Sequence, residues 1–366
     1  MRILHVDSAR TWRGGQNQVL LTAQGMRRLG HEVAVAVCRG GALETRARAA
    51  GLETCPVAFH GDLSPAAVTQ LASELRARRP DIVHAHDPHA LSAALFAIRI
   101  ARTGILVAGR RVDFALRGAF SRFKYRQARR IVAASRAIAA VLENDGIPKE
   151  RIRVVYEGVR DRDPKEGGRE LLYGLGVPKD SPVVGNIAAL TDHKDHLTLI
   201  EAAGIVLKSR NDVRFVIAGE GECRPILEQR LRKTALDDKV LLLGFRDDID
   251  VLLPTFTIFC LSSHMEGLGT SLLDAMAFGL PIVATKAGGI PEAVEDGVTG
   301  RVVPVRDPHR LAEALLDLLE NPERRSAMGN AGRASFERRF VVDRMVESTL
   351  GVYRELMSHP ESPGAR

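Results

Sequence analysis

The chain has 366 residues, 45% of them hydrophobic and 27% charged, with a net charge of +7. A chain of this length and balance is globular and too long for one ordinary core, so two domains are expected. Its longest apolar runs, such as TIFCLSS and PIVAT, fall short of the ~20 residues a membrane-spanning helix needs. The start, MRILHVDSAR, turns polar after six residues, so no secretory leader is read there. Aromatics are sparse, with a single Trp, which counts against an all-β binding module. Cys38, Cys55, Cys223 and Cys260 form no C-x-x-C pair, the pattern of a reduced, cytoplasmic chain without disulfides or structural zinc.

In chain order, apolar β-branched runs alternate with segments of helical period. RILHVDS reads as a strand, QNQVLLTAQGMRRL as a helix stopped by Gly30, and HEVAVAVC as the next strand. SPAAVTQLASELRARR reads as a helix with Ser64 as N-cap and Pro65 in its first turn. DIVHAH, GILVAG, RIVAAS and IRVVYEG continue the series. Continuous rather than alternating apolar strands indicate parallel sheets buried on both faces. The charged, aperiodic run at 159–170 reads as an interdomain linker, after which the alternation restarts with PVVGNIAAL and runs through FVIAGEG, VLLLGF, TIFCLSS and PIVAT to RVVPV. The expected fold class is therefore α/β with two Rossmann-like doubly wound domains, 1–160 and 171–340. A linker at 161–170, a closing helix at 341–358 and a disordered tail at 359–366 complete the expectation.

The positive charge is uneven. From Arg99 to Arg136 there are eleven Lys or Arg and one acid, Asp113, interleaved with Phe114, Phe120, Phe123 and Tyr125. Two readings are open: an Arg-rich solvated helix face, or a surface for an anionic membrane or acceptor. Nucleic acid is the weaker third.

In open parallel sheets, ligands bind beyond the carboxyl ends of the strands. After the first strand, Gly14 and Gly15 precede a helix, where the backbone can approach an anion or simply make a tight turn. After DIVH come His84, His86, Asp87 and His89. His84 and His86 share a strand face, but no carboxylate cluster accompanies them. A hydrogen-bonding role at a cleft for His86 or Asp87, or an ordinary place at the strand end, is the better expectation than a metal. The cluster Asp192, His193, Asp195, His196 reads as a loop and helix cap. The most informative stretch follows TIFCLSS: Glu266, then Gly267, Leu268, Gly269 and Thr270, then a helix carrying Asp274. Uncapped N–H groups at that helix start suit a diphosphate, and the two carboxylates suit hydroxyl donors on either side of it.

With EGLGTSLLDAMAFGLPIVAT, GGIPE and DGVTG on the page, the chain resembles the family-4 retaining glycosyltransferases of the GT-B fold. GGQNQVLLTAQGMRRLGHEV, PDIVHAHDPHA, HLTLIEAAGIVLK and NPERRSAMGNAGRASFERRF extend the likeness over nearly the whole chain. The resemblance implies two domains facing across a cleft and a last helix crossing back to the N-terminal domain. It implies that Glu266 contacts the donor sugar, that the backbone from Gly267 to Thr270 binds the diphosphate, and that Asp274 contacts the ribose. It further implies that Lys194 neutralises the leaving group and that Gly14 and Gly15 belong to a loop closing on the donor. The sequence departs from the pattern three times. Asp274 replaces the hallmark's second Glu. Ala189 stands where the family pairs an arginine with its lysine, so Arg246, Arg110 or Arg111 would have to substitute. Arg111, in GRRVDFALRG, stands where many members have a histidine and is the candidate for that catalytic role; Arg110, His86 and Asp87 fall on the acceptor side.

The expected activity is retaining transfer of a sugar from a nucleotide-sugar to a glycan or lipid-linked acceptor of the cell envelope, such as lipopolysaccharide. No metal or other cofactor and no nucleic acid are expected, and residues 99–136 are the place for contact with an anionic membrane face. The alternative is a catalytically weak scaffold of a polysaccharide assembly complex. Another enzyme of the same fold is less favoured by the hallmark. A dehydrogenase is less favoured because the first turn lacks G-x-G-x-x-G.

Overall fold

A computed structural model of the chain describes residues 1–61 and 64–358. The expected tail at 359–366 lies outside the described residues. The chain divides into two compact units: Met1–Val159 with everything from Val342 on, and Arg160–Val341.

The first unit is built on seven parallel strands: β1 (Arg2–Asp7), β2 (Glu32–Cys38), β3 (Glu53–Val57), β4 (Ile82–Ala85), β5 (Ile105–Arg110), β6 (Arg130–Ala133) and β7 (Ile152–Val154). They lie in the order β3-β2-β1-β4-β5-β6-β7. The order reverses between β1 and β4, and that switch point is where such sheets hold ligands. The central strands β1, β2, β4 and β5 are buried almost end to end; in β2 only Glu32 is exposed. Continuous apolar runs are what a sheet covered on both faces requires. Sequence punctuation fixes the helix starts. Ser64 Oγ accepts from Ala67 N ahead of Pro65, and the Asp87 carboxylate accepts from His89 N and Ala90 N ahead of Pro88. The last helix, Val342–Ser358, packs on the helix Gly14–Arg28. A Cβ placed on Gly25 would lie 2.5 Å from Val346 Cγ2. Glu355 of that helix accepts from both Arg130 and Arg153 at 2.6 Å, and these two guanidinium groups hold its carboxyl down at about 2.

The second unit carries β8 (Val183–Ile187), β9 (Arg214–Ala218), β10 (Val240–Gly244), β11 (Ile258–Leu261), β12 (Ile282–Thr285) and β13 (Gly300–Val303). All are parallel, in the order β10-β9-β8-β11-β12-β13, with the switch between β8 and β11. The two Rossmann-like domains of the GT-B expectation are therefore present, and the closing helix belongs to the first unit. The boundaries differ in detail. Residues 161–170 are part of the second unit rather than a bare linker: Asp161 pairs with Arg333, Lys165 with Asp250, and a helix begins at Gly168.

The loops after β8 and β9 meet backbone to backbone. Leu190 N donates to Glu220 O at 2.9 Å and Cys223 N to Leu190 O at 2.9 Å. Glycine allows it: a Cβ on Gly219 would lie 1.8 Å from Ala188 O, and one on Gly221 2.2 Å from Leu190 O. A carbonyl in a hydrogen-bonded loop cannot rotate away as a side chain can. Gly219→Ala is therefore expected to destabilise the fold by at least the ~1–3 kcal/mol of ordinary overpacking. Chemical denaturation measures it, and an unchanged midpoint would contradict this packing.

Candidate functional site

In the second unit, three strand-to-helix connections converge at the carboxyl ends of β8 and β11. After β8 the chain makes a tight turn at Asp192–Lys194, and Asp195 takes a left-handed φ of 48° to cap the helix His196–Ser209. This turn is tied to the loop after β11. Ser262 Oγ donates to Lys194 O (3.0 Å) and His264 N to His193 O (2.9 Å). Lys194 Nζ then donates to the Glu266 carboxylate, which also accepts from Ser263 Oγ at 3.1 Å. The Lys194 and Glu266 side chains are only 16% and 11% exposed. Gly289 N donates to Glu266 O at 3.0 Å, bringing in the glycine-rich loop after β12.

Next along the chain, Gly267, Leu268 and Gly269 are buried. Gly269 has φ +90°, a conformation that favours glycine, and serves as N-cap of the helix Thr270–Ala277. It brings no side chain to the helix start; Leu272 N turns back to Gly269 O at 2.9 Å, and no side chain caps the first turn beside Glu266. Asp274 lies one turn further on. It is half-buried overall, but its carboxyl is closely surrounded, which pushes it up to about 7 against the pull of Arg162. Ala189 leaves the expected cation position empty of charge, and Arg246 is engaged in a two-point pair with Asp248. Of the cluster Asp192, His193, Asp195 and His196, the last is buried and bonded to Asn186 Oδ1 at 3.1 Å, and burial pushes it down to about 4.

In the first unit, the carboxyl ends of β1, β4 and β5 carry the predicted residues and two that the sequence reading missed. His5 pairs in register with His84, so three imidazoles gather: His5, His84 and His86, all buried. Burial, aided by their mutual proximity and by Arg111, keeps them neutral. Arg111 Nη1 donates to His86 Nδ1 (3.1 Å), and an arginine can only donate. His86 must therefore carry its proton on Nε2 and pass the bond to His5 Nδ1 at 2.8 Å. His84 Nδ1 meets the Tyr353 hydroxyl at 2.6 Å. The Nε2 atoms of His5 and His84 are buried with no partner among the described residues, and each such group costs about 1–3 kcal/mol.

These three histidines are, among the described residues, the group whose donor atoms lie close enough together for a metal. Their arrangement suits one poorly. The rings of His84 and His86 are tilted against each other at 4.1 Å between centroids, no carboxylate or thiolate among the described residues joins them, and a cation would face Arg111. The second missed residue is Asp7, buried at the end of β1. It accepts from Gln16 Nε2 (3.1 Å) and Ala9 N (3.0 Å), and burial together with Asp87 pushes it up to about 6.

Asp87 itself is fully engaged by Ser8 N (2.7 Å), Ser8 Oγ (2.6 Å) and the following helix. Arg110 turns inward, donating to Phe114 O, and is 6% exposed. Arg111 lies beside Gly15, in the first turn of a helix whose N-cap, Arg13, offers no side-chain acceptor. Arg111 Nε also pairs with Glu157 Oε1 at 3.2 Å. In the basic segment, Phe120 and Phe123 are exposed and stacked on the helix Gly118–Gln127. Lys124 is not part of that surface. It is 2% exposed and donates inward to Pro88 O and Ser92 Oγ.

Asp274 yields a pH prediction. A carboxyl raised from 3.8 to about 7 in the folded state holds its proton longer than in the unfolded chain. Its contribution is thus fully favourable below about 4 and is lost as pH rises through about 7. Between pH 5 and 8, wild type should lose thermal stability relative to Asp274→Asn. Parallel stability curves for the two proteins would show that the carboxyl is not raised.

Comparison with known proteins matches residues 171–335 to the family model for glycosyl transferases group 1, and residues 12–162 to that for glycosyltransferase family 4. An alpha-D-kanosaminyltransferase of Streptomyces kanamyceticus is 31% identical over 57% of this chain, which spans only 56% of that relative. The N-acetyl-alpha-D-glucosaminyl L-malate synthase of Bacillus anthracis is 26% identical over 80% of the chain and 79% of its own length. The crystal structure of Anabaena Alr3699/HepE with UDP-glucose superposes with a TM-score of 0.86 at 24% identity, covering 98% of this chain and 99% of that one. Together with the two Rossmann-like units and the Lys194–Glu266 constellation, these matches place the chain in the glycosyltransferase family 4 group, with the GT-B fold.

Proposed function

We propose that the chain is a retaining, metal-independent glycosyltransferase that takes its sugar from a nucleotide-sugar held by the second unit. The observation that carries this reading is the half-buried Lys194–Glu266 pair beside the start of the helix Thr270–Ala277, which no side chain caps. Without donor, the two charges neutralise each other. With donor, Lys194 turns to the leaving diphosphate and Glu266 to the sugar hydroxyls, while Asp274 takes the ribose. The helix start and Lys194 supply the neutralising charge, so the departing phosphate needs no metal. The acceptor oxygen attacks the anomeric carbon on the face the phosphate leaves, and its proton passes to that phosphate. The protein's share is positioning and charge stabilisation.

UDP-glucose in the Anabaena structure supports a uridine diphosphate sugar as the first donor to try. A scaffold with a dead site is not favoured, because the loss at Ala189 and the shortened Asp274 leave the Lys194–Glu266 pair intact. For the acceptor, the support is the basic face of the first unit, which suits a lipid-linked or phosphorylated glycan of the cell envelope. Phe120 and Phe123, with Arg99 over Phe123, give that face an apolar contact at an anionic membrane. Among the described residues no helix is long and apolar enough to cross a membrane.

Two outcomes are expected. In EDTA, UDP at 100 times its dissociation constant should stabilise wild type by about 2.7 kcal/mol, seen as a raised unfolding midpoint. Lys194→Ala should remove most of that shift. No shift with UDP or any other nucleotide diphosphate would remove the basis of the proposal. Separately, flotation with anionic vesicles should recover wild type but much less of an Arg122→Glu/Phe123→Ser variant. Equal recovery would leave the membrane contact without support.

A further inference from the structure

An asparagine inside a buried strand costs stability unless both halves of its amide are bonded. Asn186 occupies such a place. It lies on β8, opposite Ile217 of β9, and is 1% exposed. Both halves of its amide are used. Backbone pairing between β8 and β11 runs from Val184 and Ile258 to Gly185 and Phe259, and stops there. One residue beyond, Asn186 Nδ2 donates to Cys260 O at 2.8 Å, so a side chain continues the join where the ladder ends. Asn186 Oδ1 faces His196 Nε2 at 3.1 Å. An amide oxygen can only accept, so His196 carries its proton on Nε2 and donates it. Its Nδ1 is left buried with no partner among the described residues. Burial, with the Lys194 charge close by, keeps the imidazole neutral. His196 opens the helix His196–Ser209, directly after the turn that carries Lys194. Cys260 leads into Ser262, whose hydroxyl binds Lys194 O, and Ser263, whose hydroxyl binds Glu266. On the other flank of β11, Thr285 Oγ1 donates to Ser263 O. One amide therefore joins the end of β8, the end of β11 and the start of the next helix. From these three pieces the lysine and the glutamate project.

We propose that Asn186 is a positioning residue of the donor site: through His196 and Cys260 it sets the spacing of the Lys194 turn from the end of β11, and so the place of Lys194 against a bound diphosphate. This rests on the proposed function and adds a residue that touches neither sugar nor phosphate. Strands part at a switch point and open the crevice in which the ligand lies. How far they part decides where groups on either side stand, and a displacement of about 1 Å in such a group can weaken catalysis on the order of 100-fold. Asn186→Leu keeps the bulk and makes neither bond. Asn186→Asp keeps an acceptor for His196 but turns a second acceptor toward Cys260 O. His196→Leu breaks the same link from its other end.

The test is a double-mutant cycle on the full chain, read by titration calorimetry with UDP in EDTA, carried to millimolar nucleotide, with GDP, ADP and dTDP run beside it. Asn186→Leu, Asn186→Asp and His196→Leu are each made in the wild-type and Lys194→Ala backgrounds. Leu315→Ala, in the core of the second unit, loosens the fold away from the site. Circular dichroism at the titration temperature shows which variants are folded. The inference expects the first three to weaken nucleotide binding by about fivefold or more where Lys194 is present. In Lys194→Ala they should weaken it by less than about twofold, because the lysine through which they act is gone. Leu315→Ala should lower the unfolding midpoint and leave the affinity unchanged. Wild-type affinity in a folded variant of the first three overturns the inference. Equal weakening in the two backgrounds overturns it too, since Asn186 would then act on the fold as a whole and not on Lys194. Absence of binding by wild type with all four nucleotides overturns the proposed function, and this inference with it.

Discussion

Two opposite charges, Lys194 and Glu266, are taken largely out of water on loops 72 residues apart in sequence. Burying either alone would be costly, and removing one partner of such a pair typically costs ~3–5 kcal/mol. The fold meets that cost with backbone: Ser262 and His264 bind the Lys194 turn, and Gly289 N binds Glu266 O. Loops held this firmly place the lysine, the glutamate and the helix start at Thr270 in one arrangement before any ligand arrives. Preorganisation of this kind is what charge stabilisation in a transition state requires.

The first unit carries a second paired charge. Arg111, at the carboxyl end of the sheet, pairs with Glu157 and donates to His86, one of three neutral imidazoles gathered there. The orphan nitrogens of His5 and His84 are a standing cost that contributes nothing to stability. Local costs of this sort are retained where a site needs them. Asp7 and Asp87 add to the picture. Their carboxylates fix Gln16 and Ser8, and so fix the entry to the helix that starts at Gly14.

Much of this was legible in the sequence. Apolar runs gave the strands, Ser64 ahead of Pro65 gave a helix start, and the run from Glu266 to Thr270 gave the glycine-rich turn that leads into the helix carrying Asp274. What was not legible depends on register and distance. His5 joins His84 only because β1 and β4 pair in a particular alignment, which the strand pattern alone does not specify. Glu157 meets Arg111 across 46 residues with no local signal. Lys124 sits in a basic run yet points inward, because its ammonium finds Pro88 O and Ser92 Oγ at the start of the neighbouring helix. Composition cannot tell a solvated lysine from one used as a hydrogen-bond donor inside the fold. The contacts of residues 161–170 were hidden for a similar reason, since Asp161 and Lys165 find partners far along the chain.

The central claim is that Glu266 recognises the sugar and not the nucleotide. Its most direct test compares the affinities of UDP-glucose and UDP, by titration calorimetry in EDTA, on wild type and Glu266→Ala. The account predicts that the substitution removes the preference for UDP-glucose while leaving UDP bound. If the substitution leaves the ratio of the two affinities unchanged, Glu266 does not touch the sugar and the assignment of the donor site is wrong.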